Sequence, residues 1–126
     1  MVIPKFFEQA LNGEPITVFG SGEQTRDFTH IDETIKATVL LAEKSKGAEI
    51  FNIANETEKS IFELAKVIKE ITNSKSEVKL VKSPKKRYDY EVERRVGSSN
   101  KLFNATGFKP STDIQKGLNE YYISLN

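Results

Sequence analysis

The hydrophobic pattern of the chain switches repeatedly between the spacing of helices and the spacing of strands. Apolar residues three and four positions apart predict helices, because residues at that spacing lie on one face. The four clearest stripes are Ile3, Phe6, Phe7, Ala10 and Leu11; Ile35, Val39 and Ala42; Ile61, Leu64, Ala65, Ile68 and Ile71; and Ile114, Leu118, Tyr121, Tyr122 and Leu125. A further short helix is predicted near residues 98–107, so about five helices are expected in all. The apolar stripes are expected to form the core.

Strands are predicted between these helices. Residues 16–19 and 78–81 alternate between the two faces of a strand, and Thr25 to Phe28 and Arg94 to Val96 are short extended pieces. The run at 50–53 is apolar on both faces, which is typical of a buried parallel strand. The alternation of helices and strands predicts an α/β or mixed α+β layer structure with short strands.

Polar residues and glycines mark where the predicted helices begin and end. Asp32 is expected to cap the second helix, and Ser98 the short fourth one. Ser60-Ile-Phe-Glu63 and Thr112-Asp-Ile-Gln115 have the form of capping boxes, in which each side chain accepts from the other residue's backbone N–H. Helix stops are expected at three glycines, Gly13, Gly47 and Gly107.

Length and composition narrow the class of protein. The 126 residues are expected to form a single domain, positions 1–126. The absence of cysteine excludes disulfides and thiolate metal sites, and the one histidine, His30, has no second ligand at metal spacing. A net charge of +1 gives no global attraction to nucleic acid. No apolar run approaches the roughly 20 residues of a membrane span, and no secretory signal precedes the first helix, so a cytoplasmic location is expected.

The segment from Gly20 to Asp32 carries the clearest chemical signal. A Gly-Ser-Gly turn leads into a short strand that presents Arg26, followed by an acid and an aromatic residue. Arginine suits phosphate because its planar guanidinium donates two parallel hydrogen bonds and stays charged. Pairing with the adjacent Asp27 is not expected, because neighbouring strand residues point to opposite faces. The segment predicts a phosphate or diphosphate site; an ion pair with Asp32 is the alternative.

The stretch from Lys82 to Arg95 is predicted to be a long loop rich in basic residues. Acidic residues are interleaved with the basic ones, which argues against nucleic acid as a partner because phosphate neutralisation needs net positive charge on one face. A second phosphate contact and a solvated charged loop remain the alternatives for this stretch.

A series of short motifs runs along nearly the whole chain. They are Ile3-Pro-Lys-Phe6, Ala10-Leu-Asn-Gly13, Ile16-Thr-Val-Phe-Gly20, Gln24-Thr-Arg-Asp-Phe28, Ile31-Asp32, Phe51-Asn-Ile53, the Ser60 capping box, Arg94-Arg95 and Gly107-Phe-Lys-Pro110. In this order they resemble the C-terminal part of the NAD-dependent epimerase/dehydratase family, extended short-chain dehydrogenase/reductases that act on nucleotide sugars. The resemblance implies the small substrate-binding part of an extended Rossmann-type enzyme.

The resemblance implies roles for three residues near the glycine turn. Arg26 would contact the diphosphate of a nucleotide sugar. Phe19 would lie against the nucleobase, and the strand around Thr17 would frame the edge of the base. For Phe19 the alternative is an ordinary core position.

The resemblance also implies a second phosphate contact from the basic loop. Arg87 is the first choice, and Arg94 or Arg95 the second, although the glycine of the family's Arg-x-Gly-Asp pattern is absent here. Asn52 or Asn55 would bond the sugar or phosphate; the alternative is a turn residue.

One half of such an enzyme is missing from this sequence. The family's dinucleotide-binding half has a glycine-rich turn at a helix N-terminus, but Thr25 stands where a third glycine would be needed. No tyrosine and lysine stand four residues apart as the family's catalytic pair does. We therefore expect a nucleotide-diphosphate-sugar-binding portion with no NAD(P) site and no activity of its own. Its partner would be the missing N-terminal Rossmann half or a second copy; the alternative is a stand-alone nucleotide- or protein-binding module.

Overall fold

Five helices and five short strands lie along residues 1–82 and 92–125, the part of the chain that the computed structural model describes. They are α1 (Val2–Leu11), β1 (Ile16–Phe19), β2 (Thr25–Asp27), α2 (Ile31–Lys44), β3 (Glu58–Ser60), α3 (Ile61–Ile71), β4 (Val78–Val81), β5 (Arg94–Arg95), α4 (Asn100–Thr106) and α5 (Ile114–Ser124). This arrangement confirms the mixed α/β class predicted from the sequence.

The strands form two small sheets. β1 pairs with β4 in parallel, so that Ile16 lies opposite Val78 and Phe19 opposite Val81. In the second sheet β2 lies in the middle, antiparallel to β3 and parallel to β5. The turn between β1 and β2 therefore connects two sheets, and it brings the end of β1 close to Arg26 on β2.

The hydrophobic core forms where α1, α3 and α5 pack around β1. Its buried members are Phe6, Phe7, Ala10, Ile16, Val18, Ile61, Leu64, Ala65, Ile68 and Leu118. Burial of each large apolar side chain contributes roughly 1.5–3 kcal/mol. The ring of Phe7 lies 5.3 Å from that of Tyr121 and 5.9 Å from that of Tyr122, measured between centroids, which joins α1 to α5. Leu11 and Leu125, predicted as core, are about half exposed because each lies at a helix end. The predicted core stripe of α2 is also wrong, because Ile35, Val39 and Ala42 are exposed.

The capping box before α3 is confirmed. The Ser60 hydroxyl accepts from the Glu63 N–H at 3.1 Å, and a Glu63 carboxylate oxygen accepts from the Ser60 N–H at 3.0 Å. The Ser60 hydroxyl also donates to the same carboxylate at 3.0 Å. The bond from the Ser60 N–H, followed by the bond from its hydroxyl, holds the pKa of Glu63 below its ordinary value. The stops at Gly13 and Gly107 are also confirmed, since both glycines adopt positive φ just after α1 and α4.

The start and end of α2 differ from the prediction. His30 caps the helix instead of Asp32: its Nδ1 accepts from the Asp32 N–H at 3.4 Å. An imidazole nitrogen can serve as this acceptor, so Asp32 moves into the first turn, where its charge favours the helix dipole. The helix ends at Lys44, before Gly47, because Ser45 adopts an extended conformation.

Two further caps lie one residue later than predicted. α4 is preceded by Ser99, not Ser98; the Ser99 hydroxyl is buried and bonds the N–H and C=O of Ala54, both at 2.8 Å. α5 is capped by Asp113, which accepts from the N–H of the second and third helical residues. Thr112 instead donates its hydroxyl to Glu33 at 2.6 Å, so it ties the loop before α5 to α2.

The predicted strand at residues 50–53 is wrong. This segment has no strand pairing in the described residues, and Ile50 is 85% exposed. The Ile50 C=O accepts from the Lys101 ammonium at 2.9 Å instead of from a strand. β3, which the sequence did not predict, follows at Glu58–Ser60; its polar residues give no alternation, and pairing with β2 defines it.

Among the described residues, every helix is too short or too polar to cross a membrane.

Candidate functional site

A cavity of about 400 Å³ opens beside the end of β1. Its lining brings together three of the residues that the sequence predicted for substrate binding: Thr17 and Phe19 from β1, and Arg26 from β2. The full lining among the described residues is Met1, Val2, Lys5, Phe6, Thr17, Phe19, Gln24, Arg26 and Ile61. It contains two basic side chains and no acidic one, an electrostatic environment that suits an anion.

Side-chain hydrogen bonds fix the β1 side of the cavity. The Thr17 N–H donates to Gln9 Oε1 at 3.0 Å, and Gln9 Nε2 donates to the Thr17 hydroxyl at 2.9 Å. At the end of the strand, Gln24 Nε2 donates to the Phe19 C=O at 3.1 Å. The strand is therefore held to α1 on one side and to the turn on the other.

The turn after β1 is closely packed at Gly22. This residue has φ +75°, and a Cβ added to it would lie 2.8 Å from Val18 Cγ1 and 2.9 Å from Phe62 Cβ. The Gly22 C=O accepts from the Phe62 N–H at 3.0 Å, which connects the turn to α3. The turn leads into β2 instead of a helix, so it does not have the geometry of a dinucleotide pyrophosphate site.

Arg26 occupies the central strand of the three-stranded sheet. It is half-buried, and its Nη1 donates to the Thr25 C=O at 2.6 Å. Lys59 on β3 and Arg95 on β5 are its cross-strand partners in the register. Paired positions share a face of the sheet, so the three cations lie on one face.

Arg94 lies on the opposite face of this sheet, where it bonds Glu58. Its Nε lies 2.9 Å from both carboxylate oxygens, and its Nη2 lies 2.7 Å from Oε2. The Thr25 hydroxyl also donates to Glu58 at 2.7 Å. These contacts, above all the hydrogen bond from Arg94, lower the pKa of Glu58, and the same bond raises the pKa of Arg94. Arg94 is not part of the cavity lining.

Arg95, Asn52 and Asn55 were also predicted as site residues, but they do not line the cavity. Asn52 is exposed and does not line it. The Asn55 amide donates to the Thr112 C=O at 3.1 Å, which is a structural contact between loops. Arg87, the first choice for the second phosphate contact, lies outside the described residues.

Lys5 and Gln24 also line the cavity, although neither was predicted as a site residue. The Lys5 ammonium lies 5.1 Å from the centroid of the Phe19 ring. Lys5 lies three residues after Val2, which also lines the cavity, and this helical spacing was a usable signal for the direction of Lys5. Its approach to β1 could not be predicted, because it depends on how α1 packs.

A second, larger cavity of about 640 Å³ is mostly apolar. His30 lies in its lining between two carboxylates: Nδ1 is 3.8 Å from Asp32 and Nε2 is 3.4 Å from Glu120. The ligand-type atoms of these three residues lie within 4.8 Å of one another. The sequence predicted no second ligand for His30, which is wrong, because folding brings Glu120 and Asp32 beside it. Each carboxylate approaches a different ring nitrogen, and Nδ1 also accepts from the Asp32 N–H.

Comparison with known proteins gives a family match over part of the chain. Residues 1–54 match the model of the NAD dependent epimerase/dehydratase family. UDP-N-acetyl-alpha-D-glucosaminuronate decarboxylase of Bacillus cytotoxicus is 37% identical over 123 residues, which make up 94% of this chain and 38% of that protein. UDP-glucuronic acid decarboxylase 1 of Xenopus tropicalis is 31% identical over 119 residues, 94% of this chain and 27% of that protein.

Solved structures of similar fold include nucleotide-sugar enzymes. UDP-glucose 4-epimerase of Thermotoga maritima, solved with UDP-glucose, gives a TM-score of 0.86 at 29% identity over 99% of this chain and 40% of that one. UDP-glucuronic acid 4-epimerase of Bacillus cereus, in complex with UDP-glucuronic acid and NAD, gives a TM-score of 0.84 at 28% identity. That match covers 100% of this chain and 40% of that one.

These comparisons support the resemblance to NAD-dependent nucleotide-sugar enzymes that the sequence predicts, and they add decarboxylases to it. The chain spans 38% and 27% of the two curated relatives.

Proposed function

We propose that this chain is the C-terminal, substrate-binding part of an NAD-dependent nucleotide-sugar enzyme and that it binds a nucleotide-diphosphate sugar. The observation that carries the proposal is the shared cavity of Thr17, Phe19 and Arg26, whose described lining has two cations and no acid. The similarity to enzymes of UDP-sugars supports uridine diphosphate as the nucleotide part.

Arg26 is the proposed diphosphate contact. It lies on the central strand of its sheet, so its backbone is held on both sides. A hydrogen bond from a guanidinium to a phosphate oxygen contributes roughly 1.5–3 kcal/mol, more than the at most about 1 kcal/mol of a surface ion pair. Arg95, on the same face, is the proposed second contact, and Arg87 and Asn52 remain candidates.

The base is proposed to lie at the β1 side of the cavity. Phe19 supplies apolar ring surface without demanding a particular base. Thr17 is held rigidly by Gln9, so the strand edge beside it keeps its position when a ligand enters. A preorganised edge lowers the entropic cost of binding.

A UDP-uronic acid is the first substrate class to test. The two curated relatives named above are decarboxylases of UDP-N-acetylglucosaminuronate and of UDP-glucuronic acid. A uronate adds a carboxylate to the charge of the diphosphate. The row of Arg26, Lys59 and Arg95 would favour that additional negative charge.

The chemistry itself is assigned to a part that this chain does not contain. We propose that NAD and the catalytic residues belong to the dinucleotide-binding half, and that the isolated chain binds the sugar nucleotide without turning it over. Holding the unreacting nucleotide would position the sugar ring for that half, and such positioning contributes to rate as well as to affinity.

An exposed apolar stripe supports a protein partner. Ile31, Ile35 and Val39 are four residues apart on α2, and each is more than half exposed. Such a stripe is costly to leave in water. We propose that the dinucleotide-binding half covers it; a second copy of the chain is the alternative. Light scattering over a concentration series distinguishes self-association from a self-sufficient monomer.

Calorimetric titration with UDP, dTDP, GDP and CDP sugars tests the proposal. We expect saturable binding of a UDP-sugar that Arg26→Ala weakens at least tenfold, as the loss of one charge-assisted contact requires. Lys36→Ala, which also removes one positive charge but lies outside the cavity lining, is the control. Equal affinity of both variants would exclude Arg26 from the site, and turnover by the purified chain would overturn the assignment of chemistry to another part.

A further inference from the structure

Lys5 is a second cation of the cavity, and neither the family motifs nor the comparisons assign it a role. It lies in the first turns of α1, one residue before the buried Phe6, and its side chain reaches the cavity that Arg26 enters from β2. The two charges therefore come from different elements and approach the same space. A bound anion would be attracted by both charges.

The contact between the Lys5 ammonium and the Phe19 ring is made by an exposed side chain. Its distance of 5.1 Å from the ring centroid is longer than in the other Lys–Phe pairs of the described residues, which are Lys36 with Phe108 and Lys66 with Phe62 at 4.6 Å and Lys101 with Phe51 at 4.4 Å. Lys5 itself is exposed. An exposed cation–π contact is weak, so a phosphate can displace it.

We propose that Lys5 is a phosphate-gripping residue of the nucleotide-sugar site, which leaves the face of Phe19 when the diphosphate binds and donates hydrogen bonds to it. This inference rests on the proposed function. Lysine suits the role because its ammonium is a compact charge with three donors on a flexible stem. Arg26 would supply the rigid, directional contact and Lys5 the adaptable one.

The movement of Lys5 also affects the base. While the ammonium lies over Phe19, that face of the ring cannot carry a nucleobase. Release of Lys5 to the phosphate exposes apolar ring surface beside Thr17. Binding at the phosphate end thereby prepares the base end, and the two ends of the ligand should bind cooperatively.

The test compares UDP with uridine on the 126-residue chain. Lys5→Met keeps most of the apolar stem and removes the charge, and Lys5→Arg restores a cation. We expect Lys5→Met to raise the Kd for UDP about tenfold at low salt, with the difference shrinking near an ionic strength of about 0.15 M. Uridine should be affected far less, and Lys5→Arg should recover most of the affinity. Lys66→Met, at a Lys–Phe pair outside the cavity lining, is the matched control.

The outcomes separate this inference from the proposed function. If the wild-type chain binds UDP and Lys5→Met binds it equally well, the role of Lys5 is refuted and the proposed function stands. Equal weakening of UDP and uridine would show that Lys5 only shapes the base end, and would also refute the phosphate contact. If the wild-type chain binds no UDP, both the proposed function and this inference fail.

Discussion

Replacement of Gly22 by alanine tests the close packing that joins β1, the turn and α3. The added methyl group would lie 2.8 Å from Val18 Cγ1 and 2.9 Å from Phe62 Cβ, distances at which at least one of these neighbours must move. Gly22 also has φ +75°, a conformation that L-residues rarely adopt. The substitution therefore introduces a backbone cost and a steric cost at the same place.

The two costs have known magnitudes. A non-glycine residue at positive φ costs roughly 1–2 kcal/mol, and overpacking of a well-packed site costs about 1–3 kcal/mol. Gly22→Ala should therefore lower the free energy of unfolding by about 2–5 kcal/mol. For a domain of this size, each kcal/mol corresponds to about 4 °C in Tm.

Gly13→Ala is the matched control. Gly13 has φ +71°, but a Cβ there would meet nothing within 4 Å. Gly13→Ala should lower the free energy of unfolding only by the backbone cost, about 1–2 kcal/mol. Urea unfolding followed by circular dichroism measures the free energy of unfolding of both variants. The slope m of that free energy against urea concentration is expected to stay unchanged. Equal losses for the two variants would show that the contacts of Gly22 with Val18 and Phe62 carry no energetic weight, and would refute this account of the turn.

The same two variants also test whether the packing of the turn affects UDP binding. Val18 lies between Thr17 and Phe19, which both line the cavity. A shift of Val18 should displace these neighbours, so Gly22→Ala should bind UDP more weakly than Gly13→Ala under conditions where both are folded. Calorimetry on the two variants measures the difference.

Three further predictions concern the core and the caps. Leu64→Ala, at a fully buried position, should lower the free energy of unfolding by about 2–5 kcal/mol in urea titrations. Asp113→Ala removes the cap of α5 and should cost about 1 kcal/mol by the same assay. The folded-state pKa of Glu63 lies below the ordinary 4.5, so the stability contributed by its carboxylate is present above that pH and is lost as pH falls through the folded-state pKa. Glu63→Gln should therefore flatten the acid limb of the stability–pH profile, and an unchanged slope would contradict this.

The sequence by itself determined the features that depend on neighbours within one helical turn. The stripe of α3, its Ser60–Glu63 box and the stop at Gly107 were predicted correctly, because side-chain spacing and capping act over three or four residues. The short strand that carries Arg26 was also predicted, from the glycine turn before it.

Only the tertiary structure decided the features that depend on distant pairing. β3 exists because Glu58–Ser60 pairs with β2, and the apolar run at 50–53 is not a strand because it has no such partner in the described residues. Arg94 bonds Glu58, which lies 36 residues away. Lys5 meets Phe19 only because α1 packs beside β1. Strand pairing and the charges that line a cavity depend on which distant segments pack together. A local sequence pattern does not specify that packing.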